Sequence, residues 1–229
     1  MKNTNDKQPA ETTSSVHSSV WCPAYHTPEA RQRAYSILVK HRGERYADCT
    51  FESFKIYDDV QRAAWERLQS FGRSMPSFVA DGGGVVLYGK EGTGKDHLLL
   101  ALAKVAILDH GYDVRFTHGL NLYGELRNAI HEHCSEQEVL DRYIKPQILI
   151  LSDPIPPKGE ASRYGIESLQ RILDARYREL RSTWVSINAT GREGAEDILT
   201  EPLVDRLTHG SGSILCNWPS YRERNRASW

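Results

Sequence analysis

The stretch Gly89-Lys90-Glu91-Gly92-Thr93-Gly94-Lys95-Asp96 constrains this chain more than any other, because it fits the pattern G-x-x-x-x-G-K of a phosphate-binding loop. The pattern has physical meaning only between a strand and a helix, and both are legible. Val85-Val86-Leu87-Tyr88 is a short apolar run, and His97 to Leu108 reads as a near-continuous apolar helix with Gly111 as its C-cap. In that setting small residues let successive backbone N–H groups face one concavity. The helix N-terminus adds positive potential, and Lys95 brings a point charge to the β and γ phosphates. Gly89, Glu91, Gly92, Thr93, Gly94, Lys95, Asp96 and His97 are therefore the candidate nucleotide-binding residues.

One position departs from the pattern. Asp96 stands where a Ser or Thr hydroxyl ordinarily meets Mg2+. A carboxylate can ligate that ion, but its charge beside phosphates must be neutralised by it, so nucleotide binding should depend strongly on the metal. A second acid is expected at the end of a neighbouring apolar strand. Ile148-Leu149-Ile150-Leu151-Ser152-Asp153 supplies it, which makes Asp153 the Walker B candidate and Asp96 with Asp153 the candidate Mg2+ ligands. The residue after that acid is usually Glu in hydrolysing proteins of this kind, and here it is Pro154, which has no side-chain base. Three readings stay open: slow hydrolysis, a borrowed carboxylate such as Glu160 or Glu167, or ATP bound as a switch.

Beyond Phe51 strand-like and helix-like stretches alternate, as in an α/β sheet of βαβ units. Asp113–Thr117, Gln147–Ser152, Thr183–Asn188 and Ser213–Asn217 read as further strands, and 119–131, 135–144 and 162–181 as helices. The last helix has Ile166, Leu169, Ile172, Leu173, Tyr177 and Leu180 at helical spacing.

Charge excludes a protein that coats a polyanion along its whole surface, since 29 basic and 30 acidic side chains leave a net charge of −1. The distribution is uneven: in segment 21–46, Arg31, Arg33, Lys40, Arg42 and Arg45 outnumber Glu29 and Glu44. That segment is expected to be a short basic helical arm, either docking a partner or lying on the main domain. Residues 1–20, rich in Ser and Thr and almost free of apolar side chains, are expected to form a disordered tail, and 47–229 the main domain. The four cysteines, Cys22, Cys49, Cys134 and Cys216, show no C-x-x-C spacing, which argues for a reducing compartment. Cys22, His26, His41 and Cys49 are the one conceivable zinc set, at irregular spacing. No apolar run approaches the roughly 18 residues a membrane helix needs and no signal peptide is visible, so the expectation is a cytoplasmic protein without membrane contact.

These parts, in this order, resemble the DnaC/IstB family of AAA+ ATPases, replicative helicase loaders and transposition helper ATPases. The likeness runs from about Arg45 to Arg222. Arg45-Tyr46-Ala47-Asp48-Cys49-Thr50-Phe51-Glu52-Ser53-Phe54 is similar to the family's R-Y-x-x-C-[ST]-F-E-N-[FY], and Gly92-Thr93-Gly94-Lys95-Asp96-His97-Leu98 to the loader's GTGKNHL, whose Asn also breaks the Ser/Thr rule. Thr183–Asn188 resembles the sensor 1 strand, Asp205-Arg206-Leu207 the DRL motif, and Ser220-Tyr221-Arg222 the closing SYR. The resemblance implies a P-loop NTPase fold of the ASCE type, with a five-stranded parallel sheet of order 5-1-4-3-2 flanked by helices; the roughly 180 residues left after tail and arm are too few to expect a C-terminal lid domain as well. It implies ATP and Mg2+ as ligands, with Lys95, Asp153, Asn188 and Arg206 as catalytic residues, Arg206 reaching the nucleotide of an adjacent subunit. Arg222 is a weaker phosphate candidate. Self-association into a ring or spiral follows, as does contact with single-stranded DNA through 119–144. Arg127, Arg142 and Lys145 are the candidate DNA contacts there, diluted by Glu125, Glu132, Glu136, Glu138 and Asp141.

The implied function is ATP-dependent loading of a replicative helicase onto single-stranded DNA. The alternatives are a transposition helper acting with a transposase, and a nucleotide-switched adaptor with little hydrolysis. A P-loop small-molecule kinase is a further class, disfavoured because no arginine-rich lid is visible.

Overall fold

The computed structural model describes residues 24–131, 135–155 and 161–224. The expected tail at 1–20, together with Cys22, Cys134 and Glu160, lies outside them. Ten helices and five strands follow the order of the chain among the described residues. They are α1 (Pro28–Arg42), α2 (Asp59–Arg73), α3 (Met75–Ala80), β1 (Val85–Tyr88), α4 (Lys95–Leu108), β2 (Val114–His118), α5 (Gly119–His131) and α6 (Glu136–Ile144), then β3 (Ile148–Ser152), α7 (Ala161–Arg178), β4 (Ser182–Ile187), α8 (Arg192–Glu196), α9 (Glu201–Thr208), β5 (Gly212–Leu215) and α10 (Tyr221–Arg224). A 3-10 turn, Glu44–Tyr46, follows α1.

The strands form one sheet of order β2-β3-β4-β1-β5, with every pair parallel. This is the order that the family resemblance implies. The three inner strands β1, β3 and β4 are buried on both faces, as a parallel sheet covered by crossover helices requires, while the edge strands β2 and β5 are less covered. Side chains alternate across the pleat. Val85 and Leu87 of β1 enter one core with Ile148, Ile150 and Trp184 under α1, α2 and α4, while Val86 and Tyr88 enter the other with Leu149, Leu151 and Val185 under α5, α6, α7 and α9.

Of segment 21–46, the described residues 24–46 join the first core. Tyr35 and Leu38 of α1 are buried there, and Arg31 donates to the carbonyls of Leu108 and Asp109 at the C-terminus of α4, where unpaired carbonyls accumulate. Thr27 caps α1 by accepting from the Ala30 N–H, and Gly43 ends it at φ +95°. Two expectations are corrected on α7. The helix stops at Arg178, before 181, because Leu180 takes φ +51° and the chain turns into β4. Tyr177 and Leu180, expected on its apolar face, are exposed; the residue that continues the buried stripe of Leu169, Ile172 and Leu173 is Arg176.

Candidate functional site

The loop between β1 and α4 is shaped by what its glycines must avoid. Gly89 has φ +150°, and a Cβ there would stand 2.4 Å from the carbonyl oxygen of Cys216, beyond the end of β5. Gly94, at φ +87°, opens α4 in the left-handed region, with the ring of Phe54 2.8 Å from where its Cβ would be. The loop is tied from outside as well: the Trp218 indole N–H donates to the Thr93 carbonyl, and the Tyr221 N–H to the Gly92 carbonyl. The Thr93 hydroxyl turns inward to the Lys90 carbonyl.

Lys95 is buried at the first turn of α4. Its ammonium donates to the carbonyls of Gly89 at 2.7 Å and Lys90 at 2.8 Å, and to Asn188 Oδ1 at 2.9 Å. Asn188 follows β4, so the cation joins the ends of the two central strands. Burial lowers the lysine's proton affinity, opposed by Cys216, Asp96, Asp153 and Glu91. All three donors are held by oxygens that phosphate oxygens can replace, a preorganised anion site.

Asp96, one residue on, has four polar contacts. Ser152 Oγ at the end of β3 donates to the carboxylate, 2.8 Å from each oxygen, and Ser186 Oγ of β4 donates at 2.9 Å. Arg42 of α1 forms an ion pair with it at 3.0 Å. The Arg42 guanidinium lies against the rings of Tyr46 and Phe116, 4.7 and 4.3 Å from their centroids. Helix α1 thus reaches the nucleotide loop, a contact that sequence spacing gives no means to foresee.

Asp153 follows β3 at φ +48°, an uncommon conformation for a residue before proline, and its N–H donates to the Ser186 carbonyl. Its Oδ1 is buried without a hydrogen-bond partner. The strand-end residue that meets Asp96 is Ser152. Asp153 stands one step further along the same rim.

Lys95, Asp96, Asp153 and Asn188 line one cleft of about 510 Å³, together with Glu91, Gly92, Gly94 and His97. Phe54, Tyr57 and Tyr221 form an aromatic wall, with Phe54 and Tyr221 centroids 5.5 Å apart, and Arg42, Arg45 and Arg222 bring positive charge. Such a cleft suits a flat base at one end and an anion at the other. His97 is turned toward the preceding segment: its Nε2 lies 2.8 Å from the Thr50 carbonyl, its ring meets Phe54 edge-on, and burial lowers its pKa.

Other predicted residues lie elsewhere. Arg206 on α9 is outside the cleft, paired with Asp174 of α7 at 2.5 Å and donating to the Pro202 carbonyl. Glu167 pairs with Arg163 on the exposed side of α7. Arg127 is exposed on α5, whereas Arg142 pairs with Glu125 and Lys145 with Asp141. Among the described residues no three His, Cys, Asp or Glu side chains gather to hold a metal, and Cys49 of the conceivable zinc set is buried.

A glycine-rich loop after a central strand, its lysine buried between two strand ends, and a parallel sheet of order 2-3-4-1-5 define an ATP-binding P-loop protein of the AAA+ class. The family model described as IstB-like ATP binding protein matches residues 46–228, and the chain belongs to that family. It is 30% identical over 187 residues to the replicative helicase loader DnaC of Buchnera aphidicola subsp. Schizaphis graminum, covering 79% of this chain and 72% of the relative. It is 28% identical over 205 residues to an insertion sequence ATP-binding protein of Sinorhizobium fredii, covering 86% of this chain and 66% of that protein. A crystal structure of the DnaC helicase loader superposes with a TM-score of 0.67 at 20% identity, covering 76% of this chain and 99% of that one, a likeness of fold. No helix among the described residues is long and apolar enough to cross a membrane.

Proposed function

We propose that the chain binds ATP with Mg2+ in this cleft, hydrolyses it, and uses the nucleotide to control assembly with a replicative helicase and single-stranded DNA. The observation that carries the ATP site is the buried Lys95 ammonium, held by three oxygens at the ends of β1 and β4. Lys95 exchanges those oxygens for β and γ phosphate oxygens, and the N–H groups of the loop hold the remainder. Asn188, released from Lys95, is placed to orient the attacking water. Asp96 and Asp153 are the two acids of the cleft, one of which would meet Mg2+, and the buried, unpartnered Asp153 Oδ1 is available to the ion or to the attacking water. The ion supplies neutralisation of phosphate charge. Arg206, outside its own cleft and exposed enough to leave Asp174, acts on the nucleotide of a neighbouring subunit in a self-assembled ring or spiral. Exposed Arg127 is the first DNA contact to test; Arg142 and Lys145 must first leave their carboxylate partners.

The helicase-loading reading is supported by the loader of 30% identity. A second reading, a helper for a transposase, is supported by the insertion sequence relative. ATP binding and steady-state turnover, with and without single-stranded DNA, test the shared core. Lys95→Ala weakens binding about 100-fold or more and abolishes turnover, whereas Arg206→Ala lowers turnover and leaves binding intact. Turnover insensitive to Lys95→Ala refutes the site, and binding without any turnover leaves a nucleotide-switched adaptor. Copurification with a replicative helicase or with a transposase separates the two readings.

A further inference from the structure

In a P-loop protein two side chains ordinarily meet at the Mg2+ position: a hydroxyl from the residue after the lysine and a carboxylate from the end of the Walker B strand. Both positions are filled in this chain, with the residue types reversed. Asp96 follows Lys95, Ser152 ends β3, and the hydrogen bond between them is present at 2.8 Å. We propose that the carboxylate and hydroxyl of the metal site have exchanged places, Asp96 supplying the charge and Ser152 the hydroxyl. The proposal rests on the ATP-binding reading above and specifies which residues that site presents to the ion.

Two further observations fit the exchange. The Asp96 carboxylate is held by Ser152, Ser186 and Arg42 at the mouth of the phosphate loop, with a quarter of its side chain still exposed. The Arg42 guanidinium balances its charge at 3.0 Å. The register of β3 then shifts the role of its neighbour by one residue. With Ser152 in the place of the metal-binding acid, Asp153 takes the next place, where the acid that polarises the attacking water belongs. Pro154 lies beyond it and replaces nothing. Asp153 is suited to that place because its Oδ1 is buried, unpartnered and beside the same cleft.

Affinity for a fluorescent ATP analogue, measured with and without Mg2+, tests the exchange, with Mn2+ paramagnetic resonance as a direct readout of ligation. The parent protein is expected to bind the analogue about tenfold or more tighter with Mg2+. Asp96→Ser and the shape-conserving Asp96→Asn lose that gain and weaken the Mn2+ signal. The double variant Asp96→Ser with Ser152→Asp restores the gain, because the pair again holds one carboxylate and one hydroxyl. Asp153→Asn keeps the Mg2+ gain and loses turnover. Retention of the gain by both Asp96 variants, its loss in Asp153→Asn, or failure of a folded double variant to regain it overturns the exchange. A parent protein that binds no nucleotide at all would instead sink the ATP-binding reading itself.

Discussion

The two buried cations among the described residues, Lys95 and Arg176, stand at opposite ends of one parallel sheet and do opposite things. Lys95 lies at the carboxyl ends of β1 and β4, bordering a cleft, with three oxygens around it. Arg176 lies at the amino ends of β3 and β4, with none of its surface exposed. Its guanidinium donates to Thr183 Oγ1 and to the carbonyls of Tyr143, Ile144, Pro146, Gln147 and Ser182. Tyr143 and Ile144 belong to the last turn of α6, where carbonyls lack helical partners and the helix dipole favours a cation. Burial lowers the pKa of Arg176 to about 9, which leaves it protonated at neutral pH. The difference is solvent: the oxygens around Lys95 can be taken over by water or phosphate, whereas four of the six contacts around Arg176 are buried away from water.

Removing each cation sharpens that contrast, and the largest effect belongs to Arg176. Arg176→Met leaves several carbonyls dry and unpaired, so unfolding in urea should show a loss of about 3–5 kcal/mol. Arg176→Lys, with three donors for six acceptors, recovers only part of it. An unchanged midpoint for Arg176→Met would mean that water reaches this end of the sheet. Lys95→Ala should reverse the pattern. ATP affinity falls about 100-fold or more, roughly 2.7 kcal/mol, because a charge-assisted contact to phosphate is lost. The unfolding free energy in urea stays within about 1 kcal/mol of the parent, since the freed oxygens face the cleft. A large destabilisation by Lys95→Ala would erase the distinction between the two ends.

A smaller effect should follow pH at the boundary between the Lys95 cleft and the segment leading into it. His97 donates from Nε2 to the Thr50 carbonyl and packs on Phe54, and burial holds its pKa below the ordinary 6.5. The unfolded chain therefore takes up a proton near 6.5 that the folded chain refuses. This contribution to stability is complete above that pH and declines as pH falls below it, by no more than about 1.4 kcal/mol per unit. His97→Gln should show a shallower fall between pH 6.5 and 5 in urea titrations. Parallel slopes for parent and variant would show that the folded protein protonates His97 without cost.

The two cations also differ in how far the sequence betrays them. Lys95 is legible because its chemistry is local: glycines, lysine and flanking apolar runs are contiguous, and each shapes the same few residues. The positions of β1 to β4 follow from comparable local signals, whereas the order of the sheet came from the family resemblance. Arg176 has a faint signal, a charged residue at the position that continues the stripe of Leu169, Ile172 and Leu173. A spacing of three or four residues equally allows Tyr177 and Leu180, and only the termination of α7 at Arg178 decides between them. The pairing of Asp96 with Ser152 and Arg42 joins residues 56 and 54 positions apart, and it depends on how β3 and α1 arrive at α4. Sequence could present Asp153 as the first acid after an apolar run, but the pleat places Ser152 against Asp96.

The smallest effect concerns a thiol beside the Lys95 end of the sheet. Cys216 is fully buried and its carbonyl oxygen packs against Gly89. Lys95 favours the thiolate, yet burial outweighs it and raises the pKa to about 12; Cys49, also buried, is raised to about 11. Neither thiol should react with iodoacetamide at pH 8 in the folded protein, and both should react in urea. Because Cys216 touches the loop that holds phosphate, its labelling has to await local opening there. Saturating ATP with Mg2+ should therefore slow labelling of Cys216 more than that of Cys49. Equal slowing of both would report global stabilisation by ligand and remove the loop from the explanation.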